Sequence, residues 1–385
     1  MLEEVDRRIP PERLYARTGI QRLAFNTLYQ LVSMRRAGDP RLEVARTLLM
    51  IPDLFHYWMT GRLQAEYTNA TTTQLCDVAT RGWAKDLVEE LELPAGILPP
   101  ISRPGTILGP LSTELAGEAG LVAPPPVIAG ATHDTASAVA AVPGLDERSC
   151  FISTGTWNLV GVEVPSPVSG ESARRHNLTN EGGVAGTIRL LKNVTGLWLV
   201  EECRRRWQNE GRSYDVADLI RLAERAPELR SVVDPDAEEF ARPGDLPAAI
   251  RNSCREHGEP EPRDEGEVIR CCLESLALKH RCVVEGLEEV TGRPIDTLRV
   301  VGGGSRNRLL CRLTADACGR RVVAGPVEAT ALGNVLVQAV ATGTLPDVAA
   351  GREVIARSER QEIYEPRDAG VWDAAYARLL TLLPG

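Results

Sequence analysis

The sequence predicts an α/β protein of two domains, on three observations. Its 385 residues exceed what one compact core usually holds. Near the end, Thr297–Val301 reads as a strand, Gly302-Gly303-Gly304 as a turn, residues 305–318 as a helix and 321–324 as a returning strand, which is a βαβ pattern. Earlier, the apolar strand 126–130 passes through Thr132-His133-Asp134-Thr135 into a small-residue helix, 136–142.

Residues 14–95 read mainly helical. Leu23, Leu28, Leu31 and Val32 recur at helical spacing, as do Val44, Leu48 and Leu49, and later Leu87, Leu91 and Leu93. Between them lies the polar run Tyr67-Thr68-Asn69-Ala70-Thr71-Thr72-Thr73, either a solvated loop or the lining of a polar cleft. A Pro/Gly-rich passage at 99–126 breaks the periodicity. Pro143-Gly144 ends the small-residue helix and places the boundary, giving a first domain at 1–145 and a second at 146–345. The second opens with strands 150–152 and 157–164 around Ser153-Thr154-Gly155-Thr156. A strand at 187–191 and a helix at 195–208 follow. Residues 209–265 are charged and proline-bearing and suggest a surface helix with irregular connections. A long helix is expected over 265–291. After the glycine turn, Ser305 can cap the next helix and Gly319 end it. A second helix covers 328–341, and 346–385 form a tail with one amphipathic helix over 372–383.

Composition excludes several classes. The chain is 43% hydrophobic and 25% charged, ordinary for a globular protein. With 44 basic and 53 acidic residues its net charge is -9, which argues against a nucleic-acid or anionic-membrane surface. No stretch reaches the roughly 18 apolar residues of a membrane span. The opening MLEEVDRRIPPERL has no apolar core and does not read as a signal peptide. Nine scattered cysteines, none in CxxC, fit buried thiols in a reducing cytoplasm. The only lysines, Lys85, Lys192 and Lys279, precede Asp86, Asn193 and His280, so no Gly-Lys-Ser/Thr phosphate loop exists. Neither VAIK nor HRD occurs.

Three constellations carry chemistry. His133-Asp134 stands beyond the carboxyl end of a strand, where open α/β sheets place ligands. Asp134 reads either as a helix N-cap or as a general base for a hydroxyl. Ser153-Thr154-Gly155-Thr156 reads either as a plain hairpin turn or as hydroxyls and N–H groups around phosphate oxygens. Gly302-Gly303-Gly304-Ser305 opens a helix whose N-terminus favours anions. It is not GxGxxG, so the dinucleotide reading is weak and another nucleotide site stays open. Asn193 is a polar cleft residue or a solvated turn, and Cys271-Cys272 fits packing.

Taken together, the strings FNTLYQL (25–31), YTNATTTQL (67–75), ATHDTASAVAAVP (131–143), STGTWNLVGVE (153–163), NEGG (180–183), LLKNVTGLWLVEECRRRW (190–207) and VVGGGSRNRLLCRLTADACGRRVVAGPVEATALGN (300–334) resemble the FGGY carbohydrate kinases. Order and spacing agree along nearly the whole chain. The resemblance implies two domains of the ribonuclease-H-like, actin-like ATPase fold with sugar and MgATP held between them. It implies ATP-dependent phosphorylation of the 1-hydroxyl of L-rhamnulose in L-rhamnose catabolism, in a cytoplasmic monomer or weak homodimer. By the same resemblance Asp134 is the catalytic base. His133, Asp134 and Thr135 form the sugar-contacting segment, and Asn193 is another sugar contact. Thr156 stands near the ATP γ-phosphate, and Gly303, Gly304 and Asn307 form the adenosine-binding turn. Glu201 falls where an ATP-contacting amide is expected, and a carboxylate there would repel phosphates. ATP and Mg²⁺ are the expected cofactors, and no residue is singled out as a metal ligand.

One departure is expected to matter. The family opens with a strand carrying an Asp-x-Gly phosphate loop, and Met1 falls in what resembles the middle of the first domain. The expectation is an incomplete first domain, from a truncated gene product or a mispredicted start. The alternatives are a kinase for fuculose, xylulose or a related ketose, and a catalytically inactive remnant.

Overall fold

A computed structural model gives the structure, described for residues 1–367 and 370–383. The chain forms two compact units, each assembled from three segments. Unit 1 comprises Met1–Gly144, Glu163–Leu191 and Ala329–Arg357. Unit 2 comprises Leu145–Val162, Lys192–Glu328 and Ser358–Gly385. Among the described residues no helix is long and apolar enough to cross a membrane.

In unit 1, helices Leu2–Arg8, Pro11–Thr18, Thr27–Arg36 and Lys85–Glu90 share one apolar cluster, with Val5, Leu14, Leu28, Leu31 and Leu87 inside. Pro11–Thr18 begins with proline, whose missing N–H costs nothing at a helix start, and ends on Gly19 at φ 66°. The polar run after Glu66 is not a solvated loop. It folds as the helical turn Tyr67–Ala70 and the 3₁₀ turn Thr71–Thr73, with Tyr67, Thr68, Thr71 and Thr73 buried. Its hydroxyls donate to carbonyls three residues back: Thr71 to Thr68 at 3.0 Å, Thr72 to Asn69 at 2.7 Å and Thr73 to Ala70 at 2.6 Å. Local satisfaction of this kind lets a polar sequence be buried.

The Pro/Gly-rich passage also carries more order than its composition suggests. Thr106–Pro110 pairs antiparallel with Pro126–Ala129, placing Ile107 opposite Ile128, and Ser112 caps helix Thr113–Glu118. Ala65–Glu66 pairs parallel with Ile101–Ser102, and Thr179–Gly182 pairs antiparallel with the 188–191 stretch. Helix Asp134–Ala140 lies against helix Ala329–Ala341. Arg352 ties the end of the former, donating to the carbonyls of Val139 and Ala140 while ion-paired to Glu163 at 2.7 Å.

In unit 2 the strands Glu362–Tyr364, Arg321–Ala324, Thr297–Val301, Ser149–Thr154 and the hairpin partner from Trp157 follow one another in that order. Arg321–Ala324, Thr297–Val301 and Ser149–Thr154 run parallel, and the outer two pairings are antiparallel. Helix Glu265–Thr291 spans 27 residues between the Asp264 cap and Gly292 at φ 66°. It is buried from Gly266 to His280 without interruption, which is why its sequence shows little amphipathic contrast. Residues 209–265 hold two helices where one surface helix is expected, and each turns an apolar face inward. Helices Val216–Arg225 and Leu246–Glu256 put Leu219, Ala223, Ile250 and Cys254 into the main core of the unit. All nine cysteines are free thiols, and only Cys282 is less than buried.

After residue 346 the chain carries helix Val348–Ser358, strand Glu362–Tyr364 and helix Val371–Leu382. The last places Trp372, Ala375, Tyr376 and Leu379 in the core of unit 2. Residues 368, 369, 384 and 385 of this stretch lie outside the described residues.

Gly333 fixes the approach of the two packed helices of unit 1. A Cβ there would sit 1.7 Å from the carbonyl oxygen of Ser137. Gly333→Ala should therefore force the helices apart and cost about 1–3 kcal/mol or more. Gly117→Ala, in helix Thr113–Glu118 with nothing within 4 Å, should be neutral or stabilising. Thermal melts of both variants check the contrast; equal melting points would refute the packing argument.

Candidate active site

The sequence-derived site residues divide between the units. His133, Asp134 and Thr135 lie in unit 1. Thr156, Asn193, Glu201, Gly303, Gly304 and Asn307 lie in unit 2.

In unit 1 the turn after strand Pro126–Ala129 leads into helix Asp134–Ala140. His133, not Asp134, is the N-cap residue, and Asp134 is the first helical residue. Its side chain is 81% exposed. Asp134 Oδ1 accepts from the Thr135 N–H at 2.6 Å, and the Thr135 hydroxyl lies 3.3 Å from the same oxygen. The Asp134 carbonyl accepts from Thr330 Oγ1 at 3.3 Å. A carboxylate in the first turn of a helix is stabilised by the exposed N–H groups and the dipole. Asp134, Thr132 and His56 line one groove of about 660 Å³, together with Thr330, Asn334 and Gln338.

Behind this exposed carboxylate the structure buries three more. Glu66 has no exposed surface. It accepts from the N–H and hydroxyl of Thr132 at 2.9 and 2.8 Å, and from the N–H of Thr68 at 2.9 Å. The Thr68 hydroxyl also donates to it, at 2.5 Å, and in turn accepts from the His133 N–H at 3.2 Å. Burial raises the Glu66 carboxyl above the usual range, and its threonine partners pull it back. Asp53, also without exposure, accepts from the Glu66 N–H at 2.9 Å. Burial pushes it up to about 7, opposed by that N–H and assisted by the nearby Glu66 charge.

Glu181 forms the third. It faces buried Arg189 at 3.0 Å and His133 Nε2 at 3.8 Å. Arg189 Nε donates to the Gly182 carbonyl at 3.0 Å, while Nη1, Nη2 and Glu181 Oε2 lack hydrogen-bond partners, so the pair is ionic rather than hydrogen-bonded. Burial lowers the His133 ring below its ordinary value, keeping it neutral near pH 7 despite Glu181.

In unit 2 the hairpin turn and the glycine turn meet at Thr154. A Cβ on Gly302 would lie 2.8 Å from the Thr154 carbonyl, and one on Gly304 would lie 2.4 Å from its hydroxyl. Gly302 also has φ 86°, which favours glycine. A Cβ on Gly303 would meet nothing within 4 Å, so this residue presents open backbone. Ser305 does not cap the following helix. Asn307 does, its Oδ1 accepting from the Leu310 N–H at 3.0 Å, while Ser305 turns back to the Gly302 carbonyl.

Thr154 begins a buried relay. Its hydroxyl donates to Asn158 Oδ1 at 2.7 Å, Asn158 Nδ2 lies 2.9 Å from His280 Nε2, and His280 Nδ1 lies 3.1 Å from Thr314 Oγ1. With the amide donating to Nε2, the ring carries its proton on Nδ1. Burial lowers His280 to about 4, so it stays neutral. Thr156 is exposed, and its carbonyl accepts from Gly196 N–H at 3.0 Å. A Cβ on Gly196 would come within 2.7 Å of the Gly155 and Thr156 carbonyls, so this glycine seats the turn against the start of helix Trp198–Asn209. Asn193 lies half-buried on strand Ile188–Thr195. Glu201 is half-exposed and ion-paired to Arg204 at 2.9 Å.

The residues that sequence reading missed are the buried ones: Asp53, Glu66, Arg189, Asn158, His280 and Thr314. Glu66 directly precedes the Tyr67–Thr73 run, and Glu181 sits inside NEGG, so adjacency to polar strings was the available signal. Among the described residues no group of three or more His, Cys, Asp or Glu side chains is arranged to hold a metal ion.

Comparison with known proteins adds the following. The FGGY family of carbohydrate kinases matches by its N-terminal domain over residues 1–141 and by its C-terminal domain over 150–342. The rhamnulokinase of Bacteroides thetaiotaomicron is 47% identical over 369 residues, which is 96% of this chain and 75% of that protein. The rhamnulokinase of Pectobacterium carotovorum is 42% identical, covering 94% of this chain and 72% of that protein. Ligand-bound xylulose kinase from Lactobacillus acidophilus superposes with a TM-score of 0.80 at 18% identity, over 99% of this chain and 76% of that one. Plasmodium falciparum glycerol kinase with ADP superposes at 0.76 and 13% identity, over 100% and 77%. At these identities the superpositions establish the fold: two domains of the α/β, actin-like ATPase type.

The raised Asp53 yields a signed expectation. A carboxyl whose folded value lies above its unfolded value near 4 stabilises the fold at low pH, and that contribution is lost as pH rises through about 7. Asp53→Asn, which mimics the protonated form, should gain on the wild type by several degrees in melting temperature between pH 5 and pH 8. A pH-independent difference between the two melts would contradict it.

Proposed function

The chain belongs to the FGGY family of carbohydrate kinases, and from that premise we propose that it transfers the γ-phosphoryl group of ATP to the 1-hydroxyl of L-rhamnulose. The observation that carries this reading is the Asp134 carboxylate, exposed on a helix N-terminus whose turn is held from beneath. The choice of sugar is supported by the identity of 40–47% to rhamnulokinases.

Phosphoryl transfer passes through a loose, in-line transition state, so positioning and charge stabilisation dominate. A sugar hydroxyl attacks well only when its proton has an acceptor. In this reading Asp134 takes that proton as the hydroxyl oxygen bonds to the γ-phosphorus and the bond to the β–γ bridging oxygen breaks, releasing ADP. Neutral His133 orients the sugar, and the buried Thr135 hydroxyl, 3.3 Å from Asp134 Oδ1, orients the carboxylate. The Thr156 turn and the open backbone at Gly303, with Gly304 and Asn307, receive the nucleotide. Glu201, paired with Arg204, is assigned no phosphate contact. Mg²⁺ would arrive on the ATP phosphates, since this ion keeps several waters and takes only one or two carboxylates from a protein.

The test is a coupled ADP-release assay with L-rhamnulose and MgATP, run beside L-fuculose and D-xylulose. Release should require L-rhamnulose and fall by about 10²–10⁴-fold in Asp134→Asn. Release indifferent to Asp134 would sink the base assignment. A preference for another ketose would sink the sugar assignment, and a folded chain with no release would sink the activity.

A further inference from the structure

We propose that Glu66 is a positioning residue that sets the register of the His133-Asp134 turn, and so the aim of the Asp134 carboxylate. This rests on the reading of Asp134 as the base.

The turn has no regular sheet or helix partner for the N–H groups of Thr132 and His133. Both end on one pair of side chains. Thr132 N–H goes to Glu66 Oε2, and His133 N–H goes to the Thr68 hydroxyl, which itself donates to Glu66 Oε2. The Thr132 hydroxyl adds a third donor to that oxygen. Four donors thus converge on a carboxylate with no exposed surface, counting the Thr68 N–H on Oε1. Burying a carboxylate is expensive, and convergence of this kind is what offsets it. Glu66 is itself pinned, because its N–H is held by buried Asp53. A chain of short contacts therefore runs from Asp53 through Glu66 to the two residues before Asp134. Glu66 is fully buried beneath the groove that Asp134 lines, so its effect is exerted through the turn.

A neutral amide at position 66 keeps the volume but replaces one acceptor oxygen with a donor. In Glu66→Gln at least one of the four donors loses its acceptor: the Thr68 N–H, in the residue whose hydroxyl seats His133, if the amide oxygen takes the Oε2 place, or the other three if it takes the Oε1 place. Backbone exchange at Thr132 and His133 should accelerate about tenfold or more, read by hydrogen exchange of the 131–135 segment. L-rhamnulose-dependent turnover should fall about 10–100-fold, with KM for ATP unchanged within about twofold. In the Asp134→Asn background the same substitution should produce no further loss, because its effect passes through Asp134. Thr132→Val, which removes one donor without adding a misplaced one, should show the same pattern more weakly, and Thr132→Ser should restore it; this pair serves if Glu66→Gln fails to fold.

Unchanged exchange at 131–135 in Glu66→Gln overturns the proposal whatever the turnover. Equal losses in the wild-type and Asp134→Asn backgrounds overturn it as well, since that is the signature of a general structural role. Failure of the underlying reading looks different: Asp134→Asn would then leave turnover intact.

Discussion

A carboxylate removed from water must have its oxygens filled, and in unit 1 that requirement organises the elements around the proposed base. Glu66 is filled by Thr68 and Thr132. Thr68 can reach it only because residues 67–70 coil into a helical turn straight after the strand Ala65–Glu66. Thr132 can reach it only because the strand Pro126–Ala129 delivers its turn to the same place. Segments some 66 residues apart in sequence are thus locked by one side chain. The adjoining threonines then have to satisfy one another locally, and they do so with hydroxyl-to-carbonyl bonds three residues back.

Unit 2 solves a comparable problem without charge. The glycine turn approaches Thr154 so closely that side chains at 302 and 304 are sterically excluded. Thr154 cannot yield, because its hydroxyl is the first donor of a relay through Asn158 and His280 to Thr314. That relay links strand Ser149–Thr154, the hairpin partner, helix Glu265–Thr291 and helix Arg308–Cys318. Every member is buried and hydrogen-bonded to the next, which is the condition under which a buried polar network adds rigidity rather than cost. The same glycines that a family resemblance ties to nucleotide are therefore also required by packing.

Much of this is legible in the sequence where local rules decide. The long helix at 265–291, the strand at 297–301, the Gly319 stop and the hairpin around 153–156 all follow from periodicity and turn chemistry. The segments that mislead share a cause. Tyr67–Thr73 and residues 209–265 are polar or charged in composition, so they resemble solvated segments. Their burial depends on partners distant in sequence: His133 and Gly182 for the first, helix Glu265–Thr291 for the second. Ser305 looks like a cap because it precedes the helix at a reasonable distance, whereas the extra 3₁₀ turn at 303–306 hands that role to Asn307. The exposed members of the candidate site are readable because chemistry at turns is written in short strings. The buried carboxylates behind them are not, since a lone Glu or Asp in sequence does not disclose that its oxygens are occupied.

Asp53, Glu66, Glu181 and Asp134 carry the same functional group in four environments, and environment alone separates their tasks. Asp53 has only part of its hydrogen-bonding capacity used and is pushed up by burial, so it tends toward the neutral acid that holds a backbone N–H. Glu66 is equally buried and is also raised by burial, but four converging donors oppose that shift and make it a brace for the turn. Glu181 stays beside a buried guanidinium, so its charge is matched within the protein. Asp134 alone of the four projects into solvent, with one oxygen engaged by Thr135 and the side chain 81% exposed. A group that must exchange a proton with a bound hydroxyl needs that exposure. A group that must hold a turn still needs the opposite. Pairing the two through adjacent backbone N–H groups places an accessible proton acceptor on an immobile base, and neither carboxylate could serve in the other's position.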